Sequence, residues 1–297
     1  MIQGLQTLGR WAEFVKISHT IFALPFALAS MAIAARASHG WPGWRLFLLI
    51  VAAMVCARTC AMAFNRIVDR KYDALNPRTA GRHLPAGAIS LPSAWTLWLL
   101  SAAGLVAVSW RINSVCFYLS PVAIVVVCFY SLTKRFTNYT HVYLGIALAL
   151  APVGAWLAVR GSLSWEPVIL GVAVVFWLVG FDIIYAIQDY EFDRRHGLRS
   201  LVVAWGPRNA LMASFLSHML MWVVLAGFGL LVRFRLPYFV GMAIILLCLM
   251  FEHWLARRRS LNWVNTAFFK LNAVVSAVYL AVTVAEVAFP DFFRPQR

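Results

Sequence analysis

Residues 44–73 read WRLFLLIVAAMVCARTCAMAFNRIVDRKYD, an apolar run that ends in a cluster of polar side chains. The apolar part, residues 44–64, has about the 20 residues that an α-helix needs to cross the hydrocarbon core of a bilayer. The polar part places Asn65, Asp69 and Asp73 four residues apart, so that on a helix they lie near one face. We therefore predict a membrane-spanning helix that continues into a polar segment and directs three oxygen-bearing side chains into one space.

The composition indicates that the whole chain, and not this segment alone, is suited to a membrane. Of 297 residues, 62% are hydrophobic and 12% are charged, whereas soluble domains carry about 25% charged residues. The sequence predicts an all-α polytopic membrane protein with a single domain over residues 1–297 and no cleavable signal peptide. About nine apolar runs are long enough to cross a membrane: 17–38, 44–64, 92–110, 113–131, 142–160, 167–187, 209–231, 236–256 and 268–289.

The net charge of +15 is better explained by the orientation of a membrane protein than by nucleic-acid binding. The N-terminus and the loops after spans 2, 4, 6 and 8 hold 17 Lys and Arg, and the opposite side holds eight. Cytoplasmic loops are enriched in Lys and Arg. We therefore expect a cytoplasmic N-terminus in a cell membrane, which we take to be a bacterial inner membrane. The lipid bilayer is the expected surrounding, and neither a nucleic-acid partner nor an obligate protein partner is expected.

The acidic residues are scarce and clustered. The chain has 11 Asp and Glu, and six of them lie in residues 65–73 and 182–193. The second segment reads DIIYAIQDYEFD, in which Asp189 and Asp193 are four residues apart and Asp182 lies seven residues before Asp189. We predict that this segment continues the helix of span 6. Acidic residues at a membrane boundary are costly, so such a cluster indicates a function.

The two segments also match in position along the chain. Asp69 and Asp189 are 120 residues apart, as are Asp73 and Asp193, and each pair follows an even-numbered span. The spacing predicts two four-helix halves plus one further helix, with both acidic segments on the cytoplasmic side.

Two carboxylate clusters on one side of a membrane favour a bound cation. Mg²⁺ prefers oxygen ligands and often bridges carboxylates to a substrate phosphate, whereas zinc sites usually contain His or Cys. Arg and Lys side chains that suit a diphosphate lie near both segments: Arg66, Arg70, Lys71, Arg78, Arg82, Lys134, Arg135, Arg194, Arg195 and Arg199. We interpret the segments as a site for Mg²⁺ and an isoprenyl diphosphate. For either segment alone, a solvated loop with paired charges is the alternative.

Four ordered motifs resemble those of the UbiA superfamily of intramembrane prenyltransferases. They are Asn65-x-x-x-Asp69-x-x-x-Asp73, Arg82-His-Leu-Pro-Ala-Gly87, Tyr130-Ser-Leu-Thr-Lys134-Arg135-Phe-Thr137 and Asp182-x-x-Tyr185-Ala186-x-x-Asp189-x-x-x-Asp193. The similarity runs from about residue 10 to residue 210.

The resemblance implies nine transmembrane helices around a central cavity and transfer of a polyprenyl group to an aromatic ring. It implies Mg²⁺ held by the four motif aspartates with Asn65 assisting, and diphosphate contacts from a set of basic residues. The basic residues in this set are Arg70, Arg82, Lys134 and Arg135.

The 4-hydroxybenzoate branch of the family is the most similar one, and Arg58 bears on the acceptor. Arg58 lies seven residues before Asn65 and corresponds to an arginine of that branch, where it would bind the carboxylate of an aromatic acid. A structural ion pair of Arg58, with Asp182 for instance, is the alternative. Asp182 is a candidate for the base that takes the ring proton, and Tyr185 is a candidate for contact with the acceptor or for core packing.

The chain departs from the 4-hydroxybenzoate pattern at two positions. Arg66 follows Asn65 where that branch has Asp, and His83 replaces a Pro. The stretches around His141 and Asp182 are similar to the branch that accompanies the futalosine route to menaquinone. The acceptor is therefore 4-hydroxybenzoate or another aromatic acid of naphthoate type, in ubiquinone or menaquinone biosynthesis.

Two other classes of function would place different demands on the sequence. A cation-coupled transporter would place its acids at mid-span and use helices broken by Gly or Pro, and a non-catalytic lipid-binding protein would not need intact metal motifs. We interpret the following histidines as surface or loop-packing residues rather than as bases: His19, His83, His141 and His196.

Overall fold

The computed structural model describes residues 9–16, 20–257 and 267–289, and in these ranges the regular structure is helical, without strands. His19 lies outside them. The α-helices are α1 Thr20–Ala34, α2 Trp44–Leu75, α3 Leu91–Ile112, α4 Ser114–Phe129, α5 Thr140–Arg160, α6 Trp165–Ala186, α7 Tyr190–Arg195, α8 Leu201–Leu231, α9 Leu236–Arg257 and α10 Asn272–Ala288.

The prediction of an all-α, polytopic membrane protein is confirmed. In the described part of the chain, eight helical segments are long and apolar enough to cross a bilayer. They match eight of the nine predicted runs. The remaining run, 17–38, corresponds to α1, which has 15 residues, and residues 17–19 lie outside the described ranges.

The chain divides into two compact units. The first unit comprises Met1–Thr20 and Leu48–Leu132, and the second comprises Ile21–Phe47 and Thr133–Arg297. The first acidic segment therefore belongs to the first unit and the second segment to the second unit. The single domain over residues 1–297 stays a prediction.

The first unit is built on the long helix α2. Its 32 residues carry the first acidic segment without interruption, as predicted. A small apolar core forms where Ala63 and Ile67 of α2 meet Phe14 and Ala94. The first unit thereby holds the polar end of α2 against apolar neighbours.

Helices α3 and α4 are joined by a single residue. The side chain of Asn113 accepts a hydrogen bond from the backbone N–H of Cys116 at 2.8 Å, which caps the N-terminus of α4. An Asn cap satisfies an N–H that would otherwise lack a partner at the start of the helix. The break that the sequence predicts between these spans is confirmed here.

The core of the second unit surrounds α6. Trp177 of α6 is fully buried against Phe26, and Phe26 stacks on Tyr279 with ring centroids 4.8 Å apart. Aromatic rings at such distances add about 0.5–1.5 kcal/mol beyond the burial of their area. Helix α6, which ends in the second acidic segment, is therefore the packed centre of this unit.

Hydrogen bonds between buried groups fix α6 further. The indole N–H of Trp177 donates to Oδ1 of Asn272 at 2.7 Å, and the hydroxyl of Ser214 donates to the carbonyl of Gly180 at 2.6 Å. A Cβ on Gly180 would clash with the imidazole of His218. Glycine at 180 thus lets α8 approach α6 closely.

Helix α5 packs on α6 through two further glycines, Gly145 and Gly171. A Cβ on Gly145 would lie 3.0 Å from the Cα of Val175, and a Cβ on Gly171 would lie 3.6 Å from the Cβ of Ala149. Small residues at helix contacts let two backbones approach closely in membranes. This contact leads along both helices toward His141 and Asp182.

Helix α8 contains one break. Gly206 has φ 76° and ψ 158°, outside the helical region, and Pro207 begins the next helical stretch. The predicted span starts at residue 209, so the prediction located the longer part of α8 and missed the short turn that begins at Leu201.

Candidate active site

The first acidic segment is organised by its own helix. In α2 the side-chain nitrogen of Asn65 donates to Oδ2 of Asp69 at 2.8 Å. Side chains four residues apart are neighbours on a helix surface. An amide that donates through its nitrogen keeps its oxygen as an acceptor, so this pair offers amide and carboxylate oxygens to a cation.

Asp73 is buried and tied to a basic residue from the following turn. Nη1 of Arg82 donates to Oδ1 of Asp73 at 2.7 Å, and the hydroxyl of Thr79 donates to the backbone carbonyl of Asp73 at 3.0 Å. The other carboxylate oxygen, Oδ2, is buried without a hydrogen-bond partner. A buried oxygen without a partner suits a cation that is held there.

Arg58 and Arg70 point to backbone carbonyls of their own unit. Nη2 of Arg58 donates to the carbonyl of Lys16 at 3.3 Å, while its Nε is buried without a partner. Nη1 of Arg70 donates to the carbonyl of Ile67 at 3.0 Å. Burial, followed by repulsion from Arg66, lowers the pKa of Lys16. Positive charge from Arg66 thus reaches Lys16, although burial has the larger effect on its pKa.

The second acidic segment continues span 6, as predicted, but it does so through a 3-10 turn rather than as one unbroken α-helix. Helix α6 ends at Ala186, a 3-10 turn covers Ile187–Asp189, and α7 begins at Tyr190. A 3-10 turn advances by about 120° per residue, against 100° in an α-helix. The turn adds about 60° of rotation between Asp182 and Asp189 relative to a continuous α-helix, and Asp189 and Asp193 are both buried.

Lys134 reaches Asp193 within the second unit. Its Nζ donates to Oδ2 of Asp193 at 3.1 Å. Two hydrogen bonds from Arg199 hold the turn that carries Lys134, one from its backbone N–H to the carbonyl of Lys134 at 2.7 Å and one from Nη1 to the carbonyl of Phe136 at 2.8 Å. Arg135, the next residue, is exposed.

Asp182 has a partner that the sequence interpretation missed. Nδ1 of His141 lies 2.5 Å from Oδ2 of Asp182, and His141 is fully buried. The interpretation of His141 as a surface or loop-packing residue is therefore wrong. The contact joins residues 41 apart, and the glycines that bring α5 onto α6 are the signal that points to it. Tyr185 packs against the apolar core of the second unit.

The donor chemistry of the two segments fits Mg²⁺. Carboxylate and amide oxygens are its preferred protein ligands. Within neither unit do the described residues gather three His, Cys, Asp or Glu side chains into a group that could hold a metal.

Residues 23–274 match the UbiA prenyltransferase family. The chain belongs to that family. A 4-hydroxybenzoate octaprenyltransferase of Pseudomonas aeruginosa (strain LESB58) is 32% identical over 259 residues, which cover 85% of this chain and 84% of that protein. The protein of the same name from Methylobacillus flagellatus is 30% identical over 261 residues, with 87% and 85% coverage. The chain is therefore a prenyltransferase and an integral membrane protein, and the transporter interpretation is set aside.

Solved structures agree with this family. The structure of a UbiA homolog from Aeropyrum pernix K1 matches with a TM-score of 0.81 and 32% identity, over 90% of this chain and 98% of that one. A UbiA homolog from Archaeoglobus fulgidus bound to GPP and Mg²⁺ has a TM-score of 0.70 and 23% identity, over 92% and 99%. The second likeness supports the fold alone.

Proposed function

We propose that this UbiA prenyltransferase transfers a polyprenyl group from an isoprenyl diphosphate to an aromatic acid, with 4-hydroxybenzoate as the leading acceptor. One observation carries the proposal. In each acidic motif the last aspartate is buried and is held by a basic residue from outside the motif, Asp73 by Arg82 and Asp193 by Lys134. Carboxylates paired with cations in this way suit a metal–diphosphate site.

The oxygen-bearing residues of both motifs form the proposed metal site. Asn65, Asp69 and Asp73 from the first motif, with Asp189 and Asp193 from the second, hold Mg²⁺. Bound Mg²⁺ supplies positive charge that stabilises a departing diphosphate.

Basic residues of the chain bind the diphosphate. Arg70, Arg82, Lys134 and Arg135 donate to its phosphate oxygens, and they stabilise the negative charge that grows as the allylic C–O bond breaks. The diphosphate leaves with the electron pair of that bond. The apolar helices surround the prenyl chain and keep water from the allylic cation.

Arg58, Asp182 and Tyr185 serve the acceptor. Arg58 binds the carboxylate of the aromatic acid, and its buried Nε without a partner supports this role. The ring attacks the allylic carbon, and Asp182 then accepts the proton from the substituted ring carbon. Tyr185 lines the same part of α6 and contacts the ring.

A naphthoate-type acid is the second candidate acceptor. It is favoured by Arg66, which is buried and stands directly after Asn65 in place of the Asp of the 4-hydroxybenzoate pattern. A naphthoate-type acceptor with two rings also carries a carboxylate that Arg58 could bind. The names of the relatives favour 4-hydroxybenzoate.

We also propose that the N-terminus and both motifs face the cytoplasm of a bacterial inner membrane. The excess of Lys and Arg on that side supports this orientation. Single cysteines introduced at Lys71 and at Arg111, in a variant without native cysteines, test it. Only the cysteine at 71 should react with an impermeant maleimide from the cytoplasmic side, and the opposite labelling contradicts the orientation.

The proposed reaction is tested in membranes that contain the expressed chain. Labelled prenyl diphosphates of several lengths are incubated with Mg²⁺ and with 4-hydroxybenzoate, naphthoate-type acids and the uncarboxylated phenol. We expect a prenylated aromatic acid, no product after chelation by EDTA, and a higher acceptor KM for Arg58→Ala. Absence of product with every acid contradicts the proposal, and product from the naphthoate-type acid alone selects the second acceptor.

A further inference from the structure

His141 is a buried polar residue that contacts Asp182, the proposed base, and none of the proposed steps uses it. His141 lies near the start of α5 and is fully buried. Its Nδ1 lies 2.5 Å from Oδ2 of Asp182. The other ring nitrogen, Nε2, is also buried and has no hydrogen-bond partner. A buried polar group with only one of its two nitrogens satisfied needs an explanation.

The partners of the ring decide where its proton lies. An ionised carboxylate only accepts hydrogen bonds, so Nδ1 of His141 donates to Asp182. The contact thus assigns the donor to Nδ1 of His141 and the acceptor to Oδ2 of Asp182.

The packing of α5 on α6 holds the ring in place. Gly145, one turn after His141, brings the two backbones together at Val175. Residues four apart lie on the same helix face, so His141 is on the face of α5 that meets α6. Its ring has little freedom to rotate away from Asp182.

Asp182 keeps one end accessible. Its side chain is 19% exposed, whereas the His141 side chain is 0% exposed. The hydrogen bond occupies Oδ2 and leaves Oδ1 for another contact. A carboxylate fixed by one oxygen loses rotational freedom before the reaction, and such preorganisation raises rates.

We propose that His141 is a positioning residue for the transfer reaction: its Nδ1–H holds Oδ2 of Asp182, so that Oδ1 accepts the proton of the aromatic acceptor. The inference rests on the proposed function. After the diphosphate has left with its C–O electron pair, the allylic carbon bonds to a ring carbon. The proton on that ring carbon passes to Oδ1, and the C–H electron pair returns to the ring. His141 keeps its own proton throughout.

Two amide substitutions separate this role from simple filling of space. In His141→Asn the amide nitrogen stands two bonds from Cβ, as Nδ1 does, and can still donate to Asp182. In His141→Gln the nitrogen is one bond farther out. His141→Ala removes the donor, and His196→Asn makes the same exchange at an exposed histidine.

The experiment measures kcat and KM for both substrates in membranes, with thermal unfolding of each purified variant. We expect His141→Ala and His141→Gln to lower kcat by about 10–100-fold, with KM for the prenyl diphosphate unchanged. This loss is no larger than the low end of what acid–base catalysis contributes, about 10²-fold, because Asp182 itself remains. His141→Asn should retain kcat within about threefold, and His196→Asn should match the parent.

The outcomes separate this inference from the proposed function. If the parent chain prenylates no aromatic acid, both the proposed function and the inference about His141 are overturned. If the parent is active, unchanged kcat in His141→Ala overturns the inference alone. Equal loss in His141→Asn and His141→Ala, with unfolding temperatures like that of the parent, also overturns it, because the donor position then has no effect. Rescue by Asn without rescue by Gln supports it.

Discussion

The two acidic motifs share a spacing but differ in backbone. The first, from Asn65 to Asp73, lies inside the unbroken helix α2, where Asn65 donates a hydrogen bond to Asp69 four residues later. The second passes from α6 through the 3-10 turn Ile187–Asp189 into α7. There Asp182 takes its partner, His141, from another helix. The first motif is organised locally, whereas the second depends on helix packing.

The largest expected effect comes from removing a carboxylate from either motif. Asp69→Ala and Asp189→Ala should each lower the rate of transfer by about 10³-fold or more, because each removes a proposed ligand of the Mg²⁺ whose charge stabilises the departing diphosphate. Product formation by labelled prenyl diphosphate measures the effect. Glu191→Ala, at an exposed acid of the second segment, should keep the parent rate. If only one motif responds, the two do not serve one reaction.

A smaller loss is expected from removing the cation that holds each buried aspartate. Arg82→Ala and Lys134→Ala should lower kcat/KM for the prenyl diphosphate by about 10–100-fold, because each leaves a buried carboxylate uncompensated. Lys134→Arg should recover part of the loss. Arg160→Ala, at an exposed helix end, is the control. Steady-state kinetics that show an unchanged KM and kcat would contradict the pairing in that unit.

The dependence of the second motif on packing is tested at Gly145. A Cβ there would lie 3.0 Å from the Cα and 3.1 Å from the carbonyl oxygen of Val175, whereas nothing lies within 4 Å of a Cβ on Gly154 of the same helix. Overpacking costs about 1–3 kcal/mol, so Gly145→Ala should lower the unfolding temperature and the transfer rate. Gly154→Ala should be neutral or slightly stabilising. Equal behaviour of the two variants would refute the role of this contact.

The smallest expected effect is a difference in unfolding temperature between glycine and alanine variants, which should be larger in the first motif than in the second. Glycine costs about 1 kcal/mol relative to alanine inside an α-helix. Lys71→Gly should therefore unfold at a lower temperature than Lys71→Ala, because Lys71 is exposed within α2. Gln188 lies in the 3-10 turn, and Gln188→Gly should differ less from Gln188→Ala. A larger difference at 188 would argue against the local organisation of the first motif.

The sequence predicted most of what depends on neighbours along the chain. Apolar runs located the spans, and the four-residue spacing of Asn65, Asp69 and Asp73 predicted their shared helix face. Asn113, a favoured cap residue, marks the break between α3 and α4. These features follow from local chemistry, so a single sequence is enough to find them.

The remaining features depend on contacts between distant residues. No Gly or Pro marks the 3-10 turn at Ile187–Asp189, so the sequence carries no local signal for that break. The contact of His141 with Asp182 exists because α5 and α6 approach closely at Gly145. Helix contacts of this kind depend on which faces meet, and spacing along one segment does not specify them.

The length of α2 has a consequence for how a lipid substrate is handled. A helix of 32 residues is about 48 Å long at 1.5 Å per residue, against about 30 Å for the hydrocarbon of a bilayer. Upright in a bilayer, α2 exceeds the hydrocarbon layer by about a third of its own length, and the polar stretch 65–75 has that length. In the proposed function, this geometry lets the prenyl chain stay in the hydrocarbon while the diphosphate reacts at the boundary with water.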